Sequence, residues 1–269
     1  MFPISVVVTT YNRPRALELV LRALDAQSDK NFEVIVGDDG SKAPTRELID
    51  NISSEVSYPL THVWQEDLGF RAGRVRNLAA KASQGQYLLF LDGDCIPRTN
   101  WISVHRRLAQ SGWFVAGNRV LLSENFTSRA ESEKIELHSL SKADWKRMLQ
   151  DNNVNRIHPL NNLPLGVLRL IRASQWKRVR SCNLGIWRQD FLAVDGFDLT
   201  FEGWGFEDSD LAIRLINSGI HHKDGSYATA VLHLYHKESD RSRENENYQK
   251  LLERISKHTK KAAQGLSTI

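Results

Sequence analysis

The sequence predicts an α/β fold built on a mostly parallel, Rossmann-like sheet with flanking helices. Three observations carry this. Short β-branched runs alternate with helical patterns over the first 120 residues. Acidic clusters sit just after two of those runs, where ligands of such sheets bind. The chain is 269 residues long and 41% hydrophobic, enough for one large core.

The first run, Ile4–Thr10 (ISVVVTT), has the continuous β-branched character of a buried parallel strand. Pro14 suits a first helical turn, and Leu17, Val20, Leu21 and Leu24 follow at helical spacing. Phe32–Gly37 (FEVIVG) is a second strand, closing a βαβ unit whose crossover is right-handed. A strand over Leu60–Gln65, a helix over Ala72–Ala82 and a strand over Tyr87–Leu91 repeat the pattern. A helix over 99–110 and a strand over 113–117 continue it. Beyond about residue 120 the alternation fades: 124–150 is helical and mixed in charge, and Gly185 to Leu211 is turn-rich. A helix over Asp208–Ser218, a strand-like stretch ATAVLHLYH and a last helix striped by Tyr248, Leu251, Leu252 and Ile255 complete the chain. One continuous domain is expected, with a nucleotide-binding part over 1–120, an acceptor-binding and catalytic part over 121–245, and a C-terminal helix and tail over 246–269.

Composition narrows the function. A net charge of +4 suits an anionic ligand or a membrane surface. The basic residues do not interleave with aromatics on a sheet face, so no nucleic-acid partner is expected. Two cysteines, Cys95 and Cys182, form neither a disulfide framework nor a zinc pattern and suit a reducing compartment. The start MFPISVVVTTYNRP lacks a basic region ahead of a long apolar stretch, and no run of about 18 apolar residues occurs. A cytoplasmic location is therefore expected, with a peripheral position at the inner face of the plasma membrane open. The last point rests on residues 152–189, which hold seven arginines or lysines and no acid. There Arg169, Arg172, Lys177 and Arg178 belong either to a lid or a face for a lipid-linked or anionic acceptor, docking on a membrane, or to a plain basic surface.

Several clusters carry chemistry. In Asp92-Gly93-Asp94 two carboxylates one residue apart can converge on a hard cation such as Mg2+ or Mn2+; the bland alternative is a surface turn. Asp38-Asp39 after the second strand either accept hydrogen bonds from a base or ribose, or cap a helix. Arg71, Arg74 and Arg76 in GFRAGRVRN either meet a diphosphate at a helix start or form a solvated face. His233 and His236 in HLYH can complete a metal site if the chain turns, since they point oppositely on a straight strand. In GWGFEDSDL, Glu207, Asp208 and Asp210 crowd like charge, which can raise a pKa and make one a proton acceptor. Asp208 and Asp210 can alternatively cap the following helix, and Glu207 can pair with Arg214. Trp204 between two glycines reads as a flat, exposed indole on which a sugar can lie.

Taken in order, these motifs resemble the GT-A glycosyltransferases. VVVTTYNRP, VIVGDDGS and FLDGDC resemble the nucleotide-sugar half of the large inverting family that includes cellulose and chondroitin synthases. NLGIWRQDFLAVDGFDLTFEGWGFEDSDLAIRL resembles the C-terminal half of β-1,4-galactosyltransferases and bacterial chondroitin polymerase. The resemblance implies an enzyme that moves a sugar from a UDP-sugar to a glycan or glycolipid hydroxyl with inversion, using Mn2+ or Mg2+, in bacterial surface polysaccharide or lipopolysaccharide synthesis. It implies a uridine pocket lined by Thr9, Tyr11 and Arg13, Asp39 on uracil, Asp92 with Gly93 at the ribose, and Arg76 near the donor phosphates. Asp94 and His236 take metal-ligand positions, and His233 stands where galactosyltransferases use a methionine. Asp208 matches the catalytic base, and Trp204 and Glu207 match acceptor-binding positions. Phe206 departs from the glycine of GWGGED and leaves the donor sugar open. The alternative is a sugar-nucleotide-binding protein or nucleotidyltransferase without glycosyl transfer.

Overall fold

A computed structural model describes residues 1–237 and 240–269. The chain alternates β1 (Ile4–Thr10), α1 (Pro14–Asp25), β2 (Phe32–Asp38), α2 (Ala43–Ser53), β3 (Leu60–Trp64), α3 (Ala72–Ala82) and β4 (Tyr87–Asp92). It continues through β5 (Cys95–Ile96), α4 (Trp101–Leu108), β6 (Trp113–Ala116), β7 (Arg119–Leu121), α5 (Glu124–Glu133) and α6 (Lys142–Gln150). The last elements are β8 (Asn183–Trp187), α7 (Arg188–Ala193), α8 (Glu207–Asn217), β9 (His221–Asp224), β10 (Val231–His233) and α9 (Glu244–Ser256).

The main sheet has seven strands in the order β3-β2-β1-β4-β8-β6-β9. Pairings are parallel except those of β8, which runs antiparallel to both β4 and β6. Because β8 reverses direction twice over, β6 and β9 point the same way as β1 and β4. Both faces of β1 are buried, as its unbroken β-branched run requires. Val6 and Val8 pack with Leu17, Val20, Leu21 and Leu24 of α1 on one face. Val7 packs with Ile35, Ala79 of α3, Phe90 and Leu211 of α8 on the other. A smaller sheet, β5-β10-β7, sits beside the end of β4.

Several sequence expectations change. The stretch from Gly185 holds a central strand, because Asn183–Trp187 lies between β4 and β6 in a slot that two neighbours define. His221–Asp224 is an edge strand despite its polar sequence. The strand expected over 228–236 ends at His233. The helical reading of 124–150 divides into α5 and α6, with Lys134 in left-handed backbone at φ 51° closing the first. On α9, Leu251 is buried while Tyr248 and Leu252 are largely exposed, so the apolar stripe is only partly covered. Among the described residues no helix is long and apolar enough to cross a membrane.

Candidate active site

The carboxyl ends of β2, β1 and β4 lie in register. Thr9 of β1 is flanked by Gly37 on one side and Asp92 on the other, and Thr10 by Asp38. After Asp92 the chain turns back at once, and the Gly93 amide donates to the Thr9 carbonyl at 2.7 Å. A Cβ on Gly93 would stand 3.0 Å from that carbonyl oxygen, so a side chain there would push the turn off β1. The turn delivers Asp94 toward β10. There the Leu234 amide donates to the Asp94 carbonyl at 2.9 Å, and His233 pairs with Cys95.

The chain leaves β10 immediately after His233, and that bend brings both histidines to one carboxylate. His233 Nε2 lies 3.7 Å from Asp94 Oδ1, and His236 Nε2 lies 3.5 Å from Asp94 Oδ2. The two imidazole centroids are 5.1 Å apart. Burial, opposed by the Asp94 charge, pulls the His233 pKa down to about 4, so its ring is neutral and its nitrogen lone pair is free to ligate at neutral pH. Arg13 competes for the same carboxylate: its Nη1 donates to Asp94 Oδ2 at 3.0 Å, and its Nη2 to Glu131 at 2.9 Å and the Tyr235 carbonyl at 3.1 Å. The ligand atoms of Asp94, His233 and Cys95 all lie within 4.8 Å of one another, and His236 flanks Asp94 outside that group, so the donors at hand are one carboxylate, two imidazoles and a buried thiol. That set fits Mn2+ better than Mg2+, which favours oxygen throughout.

Arg76 joins this edge to the second acidic cluster. It projects from α3 into the interior and is 4% exposed. Its Nη2 donates to Asp92 at 3.0 Å, its Nε to Thr9 at 3.2 Å and its Nη1 to Glu207 at 3.3 Å. Burial alone would favour the neutral guanidine, but Asp92, Asp208 and Glu207 outweigh it and raise the pKa further. The three acids of GWGFEDSDL separate by environment. Asp210 is fully buried and paired with Arg214 at 2.7 Å, which makes it structural and corrects the expected Glu207–Arg214 pair. Glu207 is driven from 4.5 up to about 7, first by burial and then by the Asp208 charge, against the pull of Arg76. Asp208 keeps Oδ1 buried with no hydrogen-bond partner among the described residues, 3.9 Å from Arg76 Nη1. Asp92 is raised by burial, offset by Arg76, and raised further by Asp94 and Asp208.

The loop before α8 is built from left-handed backbone: Gly203 at φ 73°, Gly205 at 114° and Phe206 at 71°. Gly205 lies where no side chain is comfortable, and Phe206 takes the N-cap position of α8 without a side-chain cap. Trp204 differs from the expected bare indole. It is half-buried, and the Arg241 guanidinium lies 4.4 Å above its ring, the cation drawn to the negative face.

The remaining sequence candidates spread along the carboxyl edge. Asp39 is buried and accepts the Arg71 amide at 2.8 Å and the Gln65 side chain, so it fastens the start of α3 instead of capping α2. Tyr11 is 49% exposed and its hydroxyl donates to Asp67 at 2.9 Å. Arg13 turns away from Tyr11 toward Asp94. Sequence reading missed Glu131, Asp67, Gln65 and His62, the last 3.1 Å from Asp38. It also missed that Cys95 and Cys182, both buried, meet beside Asp92. Apart from Cys95, which ends FLDGDC, none of these stands in a motif; each is a single residue that the fold brings near.

Comparison with known proteins follows from this geometry. The family model described as glycosyl transferase family 2 matches residues 5–174, and one described as the N-terminal domain of galactosyltransferase matches residues 169–237. Validoxylamine A glucosyltransferase of Streptomyces hygroscopicus subsp. jinggangensis is 29% identical over 239 residues, 81% of this chain and 52% of that protein. Chondroitin synthase of Escherichia coli is 26% identical over 264 residues, 90% of this chain and 36% of that protein. This chain thus spans about half, or less, of the length of these relatives. Two solved structures share the GT-A fold. A mannosyltransferase of Pyrobaculum calidifontis in complex with GDP-Man and Mn2+ superposes with a TM-score of 0.61 at 17% identity, covering 88% of this chain and 58% of that one. Residues 1–349 of S. aureus TarS in complex with UDP give 0.61 at 14% identity, covering 98% and 68%.

Proposed function

From the premise that this chain belongs to glycosyl transferase family 2 and is a glycosyltransferase, we propose that it transfers a sugar from a UDP-sugar to a glycan hydroxyl by single displacement, forming a β-linkage. The alternative of nucleotide binding or nucleotidyl transfer gives no use to the Glu207–Asp208 pair. The relatives named chondroitin synthase support a polysaccharide product, and we assign the chain to bacterial surface polysaccharide or lipopolysaccharide synthesis.

One observation carries the reading: Asp208 holds a carboxylate oxygen with no hydrogen-bond partner among the described residues, beside the Arg76–Asp92 pair, on a side chain still 15% exposed, whereas Asp210, which also has such an oxygen, is sealed from solvent. A buried, unsatisfied acceptor is costly unless something arrives to use it. In the proposed step Asp208 takes the proton of the acceptor hydroxyl while that oxygen attacks the anomeric carbon. The bond from that carbon to UDP breaks on the opposite face. Glu207 and Trp204 hold the acceptor. Thr9, Tyr11, Arg13, Asp39 and Asp92, with the Gly93 turn, hold the uridine, and Arg76 brings positive charge to the diphosphate. Asp94, His233 and His236 would hold Mn2+ or Mg2+, which when bound offsets the negative charge of the leaving diphosphate.

The test is UDP release from a panel of UDP-sugars, with and without glycan acceptors. Release that depends on acceptor is expected. Asp208→Asn should lower turnover by about 100-fold to 10,000-fold, the usual worth of a positioned base, with UDP affinity and unfolding midpoint kept. Near-normal turnover in that variant removes Asp208 from the mechanism.

A further inference from the structure

The stretch without acidic residues, 152–189, crosses the same end of the sheet as the site. Arg98, just after β5, donates to the Leu160 carbonyl at 3.0 Å. The Leu163 amide donates to the Tyr227 carbonyl at 3.1 Å, beyond the end of β9. Since β9 points the same way as β4, its carboxyl end lies on the edge that carries Asp92.

Within this stretch Arg169 contradicts the expectation of a surface cation. It is 6% exposed and donates to the carbonyls of Asp224 at 2.7 Å, Ser226 at 2.8 Å and Leu163 at 3.1 Å. Its guanidinium staples the 3-10 turn Gly166–Leu170 to the loop after β9. The staple holds apolar side chains outward: Val167 is 78% exposed, Leu168 57% and Ile171 74%. Three such residues side by side, on a turn fixed from beneath, are an unusual surface for water. Exposed cations follow in the chain, Arg172 directly after Ile171 and then Lys177 and Arg178. Arg172 is half-neutralised by Asp224 at 3.5 Å, while Lys177 and Arg178 have no acid within the stretch.

We propose that this turn docks on a phospholipid bilayer with anionic headgroups. Val167, Leu168 and Ile171 enter the interfacial layer, and Arg172, Lys177 and Arg178 meet the headgroup charge. An exposed apolar turn followed closely in the chain by exposed cations, of which only Arg172 is paired with a carboxylate, complements that surface. Neither requirement involves turnover, so the inference stands or falls apart from the transfer reaction.

The experiment is flotation of the purified protein with phosphatidylcholine vesicles, with and without phosphatidylglycerol. Binding to the anionic vesicles, weakened by salt, is expected. The triple variant Arg172→Gln, Lys177→Gln, Arg178→Gln should lower that binding on the order of 100-fold, since each cation near the surface contributes separately. The variant Val167→Ser, Leu168→Ser, Ile171→Ser should lower it by at least about 10-fold while keeping some salt sensitivity. Equal binding to neutral and anionic vesicles, or no change in either variant, overturns the proposal. So does a dimer in sedimentation that the serine variant returns to monomer, because a second copy would then cover the turn.

Discussion

At the scale of the residue, environment sorts three neighbouring carboxylates into three tasks. Asp210 is neutralised by Arg214 at full burial, Glu207 accepts a hydrogen bond from Arg76, and Asp208, 15% exposed, has Arg76 only at 3.9 Å from Oδ1 and no hydrogen bond on that oxygen among the described residues. Glu207 titrates at about 7, which places its charge change in the physiological range. If the ionised form holds the acceptor hydroxyl, kcat/KM for acceptor should rise with pH through about 7 and level off above it. Glu207→Gln should lower kcat/KM and abolish that limb; a limb of the same midpoint in the variant assigns it elsewhere. Stability should run the other way. A carboxyl raised from 4.5 to about 7 binds more protons folded than unfolded in between, so its contribution falls as pH rises through that window. His233, lowered to about 4, loses its influence above its ordinary 6.5. Metal-free protein should therefore lose stability from about pH 6.5 to about pH 8, and less so with Gln at 207, as urea unfolding at both values would read.

At the scale of the element, α8 is launched by a residue that breaks backbone preference. Phe206 has φ 71°, and its ring meets Tyr248 of α9 at 5.3 Å. Left-handed backbone costs a non-glycine residue roughly 1–2 kcal/mol, and an aromatic pair returns about 0.5–1.5 kcal/mol beyond area. Phe206→Gly loses the pair and the strain together and should stay within about 1 kcal/mol of the parent. Phe206→Ala loses the pair, keeps the strain and should fall by about 1–2 kcal/mol. Equal midpoints for the two in urea unfolding would show that φ at 206 stores nothing. Elements with their own pattern were legible in sequence. The β-branched run of β1 and the helical spacing of Leu17, Val20, Leu21 and Leu24 specify local structure unaided. The missed elements are those whose reason is elsewhere. Asn183–Trp187 contains Gly185, against whose α-carbon the Tyr87 ring packs, and becomes a strand because β4 and β6 offer edges on both sides. His221–Asp224 is polar and is a strand only through β6. The histidines were legible as a pair, but their convergence on Asp94 depends on the bend after β10, which no periodicity encodes.

At the scale of the molecule, the two halves of the sequence meet through a buried charge. Arg76 belongs to α3 in the first half, Asp92 ends β4, and Glu207 and Asp208 begin α8 in the second. Sequence placed Arg76 near a diphosphate from its motif; that it also neutralises acids 131 residues away depended on topology. Its loss therefore tests whether the halves are held together electrostatically. Arg76→Ala leaves three carboxylates at close quarters with their common cation removed, and breaking a buried pair in this way costs about 3–5 kcal/mol. Arg76 opposes the upward shifts of Glu207 and Asp92, so without it both rise further. A raised carboxyl pKa lowers stability as pH climbs through it. The loss should accordingly be largest at about pH 8 and shrink toward about pH 5, where protonation removes the repulsion. Arg76→Lys, which keeps a charge but loses the fork that spans Asp92 and Glu207, should fall between. Urea unfolding of both variants at the two pH values reads this directly. An equal loss at both would mean that Arg76 contributes packing against Phe197, 5.4 Å from its guanidinium, and that charge does not join the halves.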